Sequence, residues 1–95
     1  MGRPSKLTNN EIESELQGLE GWTLQGGKLH KTFHFADFIT AWDFMSRIAL
    51  IAQSMDHHPD WSNVYSTVTI DLSTHDAGGI TKLDLELAHK MNLNA

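Results

Sequence analysis

Residues 54–65 read Ser-Met-Asp-His-His-Pro-Asp-Trp-Ser-Asn-Val-Tyr, and Ser73-Thr74-His75-Asp76 follows after one more strand-length run. Imidazole, with an ordinary pKa of about 6.5, is the side chain that both gives and takes a proton at neutral pH. His57 and His58 stand together beside Asp56, and His75 is followed by Asp76. Pro59 forces its predecessor out of helical geometry, so a helix that runs into this stretch must stop there. A histidine at such an end can serve the unpaired carbonyls as a cap, but two beside an aspartate exceed that need.

Two chemistries compete for three imidazoles with carboxylates nearby. Metal binding is disfavoured by spacing: side chains at i and i+1 diverge, and neither H-x-H nor H-E-x-x-H occurs. General acid–base work fits better. No serine or cysteine nucleophile motif is present, so the expected reaction removes one proton and delivers another without a covalent intermediate.

Elements must bring residues 57, 58 and 75 together. Thr8-Asn9-Asn10-Glu11 is a capping box with Leu7 and Ile12 as its staple, opening a helix that ends near Gly18. Residues 22–24 and 28–33 flank Gln25-Gly26-Gly27 and read as a hairpin, with Trp22, Leu24, Leu29 and Phe33 facing inward. From 35 to 55 the pattern is helical, with two adjoining apolar stripes. One holds Phe35, Phe38, Trp42, Met45, Ala49 and Ala52; the other holds Ala41, Phe44, Ile48, Ile51 and Met55. Together they cover more than one sheet needs, so the second stripe is expected to meet another subunit. Residues 60–73 resume strand character across a turn near 63–66, with Val68, Ile70 and Leu72 on one face. After the loop 76–79, Thr81-Lys82-Leu83-Asp84 is a second capping box, which accounts for Asp84 without chemistry. The closing helix carries Leu83, Leu87, Ala88 and Met91.

The expected fold class is α+β in the order α-β-β-α-β-β-α: one antiparallel four-stranded sheet with helices packed on one face. In that architecture residues 57–60 and the strand end at Ser73 share a sheet edge, so the three imidazoles converge. His30 and His34 fall on the polar face of their strand and His89 on the closing helix, all solvated or partly packed.

Length and composition set the remaining bounds. Ninety-five residues support a single domain, 1–95, with 1–6 frayed. Cysteine is absent, so the core or partner subunits must hold the fold, and an oxidising compartment is not implied. The start Met-Gly-Arg-Pro-Ser-Lys-Leu-Thr lacks a signal peptide's apolar core, and no apolar run approaches a membrane span. The expected location is the cytoplasm, without membrane contact. A net charge of −5 with no Lys/Arg cluster argues against direct nucleic-acid binding.

Asp56-His57-His58-Pro59, Trp61, Asn63-Val64-Tyr65, Ser73-Thr74-His75, Gly79 and Asp84 together resemble the pterin-4a-carbinolamine dehydratase family, over nearly the whole chain. That resemblance implies a hydro-lyase that dehydrates 4a-hydroxytetrahydropterin to quinonoid dihydropterin, recycling the cofactor of aromatic amino-acid hydroxylases with no metal or cofactor of its own. It implies catalytic roles for His57, His58 and His75, with His57 and His75 sharing acid and base and His58 mainly holding substrate. Substrate contacts are implied at Asp56, His57, His58, Trp61, Ser73, Thr74, His75 and Asp76, and packing in the core is the rival role for Trp61. It also implies a homo-oligomer, dimer or tetramer, through the 35–55 helix. Gln53 departs from the charged residue, most often glutamate, that the family carries there; glutamine keeps the hydrogen bond and loses the charge. Family members that act as transcription cofactors or assembly factors supply the alternative, a non-enzymatic protein-binding module.

Overall fold

The computed structural model describes residues 4–95 and has the expected element order. Helix α1 spans Asn9–Leu16, strands β1 and β2 span Thr23–Gln25 and Lys28–His34, and helix α2 spans Phe38–Met55. Strands β3, Asp60–Val64, and β4, Thr67–Leu72, lead through a short 3-10 turn, His75–Ala77, to helix α3, Lys82–Asn94. Both capping boxes form. Thr8 Oγ1 accepts from the Glu11 N–H while Glu11 Oε1 accepts from the Thr8 N–H, which holds the Glu11 carboxyl below its ordinary pKa. Asp37 caps α2 by accepting from both the Thr40 N–H and the Thr40 hydroxyl, so this helix starts at Phe38 rather than at 35.

The sheet order is β1-β2-β4-β3, antiparallel throughout. Register pairs Leu29 with Leu72, Phe33 with Val68 and Trp61 with Ile70, so one face is apolar. Helices cover that face. Phe44 lies 4.9 Å from Phe33 and 5.0 Å from Phe35 between ring centroids, and Leu87, Ala88 and Met91 of α3 close the core. Burying a side chain the size of Phe44 or Ile48 stabilises by about 1.5–3 kcal/mol, and with no cysteine this apolar layer is the main cohesive term. The opposite face is polar. His30 Nδ1 lies 2.9 Å from Asp71 Oδ1 across the β2–β4 pair, and His34 is exposed nearby.

Two expectations are corrected. Of the two stripes on α2, Ala41, Phe44 and Ile48 of the one assigned to a partner are buried against this chain's own sheet. Of the first stripe, Phe38, Trp42 and Ala49 are exposed, with Ile39 (72%) and Leu50 (75%) beside them, whereas Ala52 is buried and Phe35 and Met45 pack on the core. Periodicity gave the width of the apolar surface but not which side meets the sheet. Leu24 pairs with Leu29 yet is exposed, because β1 is an edge strand at the margin of the helical layer. Fraying was expected for 1–6; residues 1–3 lie outside the described residues, while Lys6 rests against Gly79 and the Leu7 N–H donates to the Ile80 carbonyl at 2.8 Å. Among the described residues no helix is long and apolar enough to cross a membrane.

Candidate acid–base cleft

Neither histidine caps α2. Asp56 adopts the left-handed conformation (φ 50°, ψ 43°), and its N–H bonds back to the last turn. The His57 N–H then donates to the Ala52 carbonyl at 3.0 Å, the six-to-one bond of a Schellman-type ending. Neither imidazole is used to close the helix. His57 is buried, at 5% exposure, whereas His58 is exposed.

His57 Nε2 lies 2.5 Å from Asp84 Oδ1, and Asp84 is fully buried. The other carboxylate oxygen, Oδ2, accepts from the Thr74 hydroxyl at 2.8 Å and from the Thr81 N–H at 2.9 Å. Thr81 Oγ1 accepts from the Leu83 N–H and lies 2.7 Å from Thr74 Oγ1, to which it donates. Each hydroxyl thereby donates once, and the carboxylate receives three donors. An ionised carboxylate only accepts, so the network assigns the imidazole hydrogen to Nε2. In the neutral ring the lone pair then lies on Nδ1. Asp84 is thus more than the capping residue expected from sequence: the carboxylate that opens α3 also fixes the tautomer of His57. No local pattern marks this pair, since 27 residues separate its members.

The end of β4 supplies the facing wall. Thr74 and Gly79 bridge, Thr74 N–H to Gly79 carbonyl at 2.8 Å and Gly79 N–H to Thr74 carbonyl at 3.3 Å. Gly78, at φ +78°, closes the 3-10 turn between them. His75 and Asp76 project from this turn, exposed. Asp56, His57, His58, Ser73, Thr74, His75 and Asp76 together line one cleft of about 190 Å3. Seven of the eight residues singled out from sequence therefore meet. Trp61, the eighth, does not line it; this side chain pairs with Ile70 on the apolar face and packs on the core. Gln53 borders the cleft's exposed histidine, with Oε1 2.9 Å from His58 Nε2.

Two larger hollows, of about 430 and about 490 Å3, run between α1 and α3. They bring together one histidine, His89, one lysine, Lys82, and several carboxylates, so the smaller cleft, with three histidines, is the candidate site. Among the described residues no group of three or more His, Cys, Asp or Glu side chains is placed to hold a metal ion.

Comparison with known proteins places the chain in a family. The family model described as pterin 4 alpha carbinolamine dehydratase matches residues 5–93. A relative from Solibacter usitatus that carries the name pterin-4-alpha-carbinolamine dehydratase is 53% identical over 88 residues, covering 93% of each chain. One of the same name from Prochlorococcus marinus is 48% identical, covering 92% of this chain and 91% of its own. The crystal structure of a transcriptional coactivator/pterin dehydratase from Brucella melitensis superposes with a TM-score of 0.93 at 42% identity, covering 96% of this chain and 99% of its own. The chain belongs to the pterin 4 alpha carbinolamine dehydratase family.

Proposed function

We propose that this cleft dehydrates a 4a-hydroxytetrahydropterin to the quinonoid dihydropterin, by proton transfers between histidines and the ring. The reaction breaks the C4a–O bond and the N5–H bond and forms a C4a=N5 double bond, releasing water. It needs an acid at the departing hydroxyl and a base at N5, and no redox partner. The observation that carries the reading is the meeting of His57, His58 and His75 in one water-accessible cleft, with His57 held by a buried carboxylate.

His57 and His75 share the two proton transfers in this reading. His57 is pre-oriented, since Asp84 holds its ring and tautomer before substrate arrives. His75, on the exposed turn, reaches the ring from the opposite wall. His58 and Asp56 hold the substrate, with the carboxylate of Asp56 and backbone groups of 73–76 suited to the amino and amide edge of a pterin. Trp61 supports the wall from within the core. No metal and no cofactor takes part, and the turnover recycles a reduced pterin.

Ultraviolet absorbance tests this directly. Chemically prepared 4a-hydroxy-6-methyltetrahydropterin should dehydrate faster with protein present, undiminished by EDTA, and the gain should vanish in a His57→Ala, His75→Ala double variant. Turnover abolished by chelation, or retained in the double variant, removes the reading. The similar Brucella protein is a transcriptional coactivator/pterin dehydratase, so a protein-binding role is the second reading. The exposed face of α2 favours a further contact of this kind: we infer a homo-oligomer that buries Phe38, Ile39, Trp42 and Leu50.

A further inference from the structure

The cleft's volume of about 190 Å3 equals roughly six water molecules at about 30 Å3 each. A flat fused bicycle fills it, so a chain attached to that ring must leave. Asp76 stands at the exit. It lines the cleft and also a second, roomier hollow of about 400 Å3, whose other walls among the described residues are Pro4, Ser5, Lys6 and Ala77. The two spaces are thus neighbours across one residue of the 75–77 turn.

Lys6, exposed, lines the outer space and also a small hollow beside Gly79 and Ile80. The stem of its side chain lies on the loop: a Cβ on Gly79 would fall 2.9 Å from Lys6 Cε and 3.2 Å from Cδ. The Leu7 N–H bond to Ile80 pins the segment, and the Thr74–Gly79 bridge ties the loop to the hydroxyl that bonds Asp84. Lys28, Arg47 and Lys90 each have an ion-pair partner, whereas Lys6, like Lys82 on α3, forms none with any described residue; of these two, Lys6 borders the hollow next to the cleft. An exposed ammonium that borders the hollow next to the cleft, on a chain of net charge −5, is open to an anion brought by the ligand.

We propose that Lys6 is a specificity-determining residue that favours pterins whose ring substituent ends in an anion, carboxylate or phosphate ester. It rests on the pterin reading of the cleft. The charge must sit at the far end of the substituent, because an anion next to the ring would face Asp76. Lys6 acts on affinity and leaves proton transfer to the histidines.

The test is equilibrium binding of two 7,8-dihydropterins with a trihydroxypropyl chain, one free and one carrying a terminal phosphate. At low ionic strength the phosphate form should bind about threefold to fivefold more tightly, the size expected of a partly exposed ion pair, and added salt should shrink the difference. Lys6→Gln should remove the preference, Lys6→Arg keep it, and Lys6→Glu invert it. Gly79→Ala, whose methyl displaces the Lys6 stem, should weaken it. Equal affinity of the two ligands, or a preference that survives Lys6→Gln, overturns the proposal while the dehydration assay still succeeds. If neither ligand binds and 4a-hydroxy-6-methyltetrahydropterin is not turned over, the pterin reading falls and this proposal with it.

Discussion

Asp84→Asn separates a helix cap from a catalytic support. The substitution keeps shape and replaces one carboxylate oxygen with an NH2 group. If that NH2 faces Thr81, the buried Thr81 N–H loses its acceptor, which costs about 1–3 kcal/mol. If it faces His57, Nε2 must become the acceptor and the ring hydrogen moves to Nδ1. The second orientation keeps both donors to Oδ2 satisfied and is expected to prevail. A charge-assisted bond still becomes a neutral one, so urea unfolding should show a loss of about 1–2 kcal/mol. Activity should fall much further, by about 100-fold to 10,000-fold, the usual worth of one positioned acid or base. Long-range proton–nitrogen NMR should report Nε2–H in the parent protein and Nδ1–H in the variant. Ile48→Val, remote from the cleft, controls for stability: it should cost about 0.5–1.5 kcal/mol with turnover unchanged. An Asp84→Asn protein that is destabilised yet turns over within fivefold of the parent would confine Asp84 to capping.

Three further outcomes follow from other contacts. Gln53→Ala removes the acceptor for His58 and should raise KM about twofold to fivefold with kcat nearly constant, as steady-state absorbance would show. Trp42→Glu places a charge on the exposed face of α2 and should shift sedimentation from oligomer to monomer; a parent protein that sediments as a monomer at micromolar concentration refutes the oligomer. The Asp37 carboxyl is held below its ordinary pKa by its bonds to Thr40, backbone first. Its help to folding is therefore full above the ordinary value of about 3.9 and is lost as pH falls through the lowered one. Asp37→Asn, which caps without titrating, should lack that part of the acid sensitivity in urea midpoints taken between pH 5 and pH 2.

What could be read from sequence was local. The boxes at Thr8–Glu11 and Thr81–Asp84, the alternation from Val68 to Leu72 and the stop at Pro59 each rest on neighbours a few residues apart. They fixed the element order and put residues 57, 58 and 75 at one edge. What escaped needed the third dimension. Asp84 and His57 meet only because α3 docks its first turn against the end of α2. The stripe facing the sheet could not be told from its neighbour, since both have helical spacing, and the inward turn of Trp61 follows from its register opposite Ile70. The residue that ends α2 was also hidden, because aspartate rarely takes the left-handed conformation that Asp56 adopts there.

That unusual backbone at Asp56 has a consequence for anyone redesigning this scaffold. A left-handed aspartate costs roughly 1–2 kcal/mol relative to an ordinary conformation, and glycine is the residue that relieves it. A search for thermal tolerance would find position 56 early, and would strip a carboxylate from the wall of the cleft in doing so. If Asp56 holds the substrate as proposed, robustness and binding pull this one residue in opposite directions.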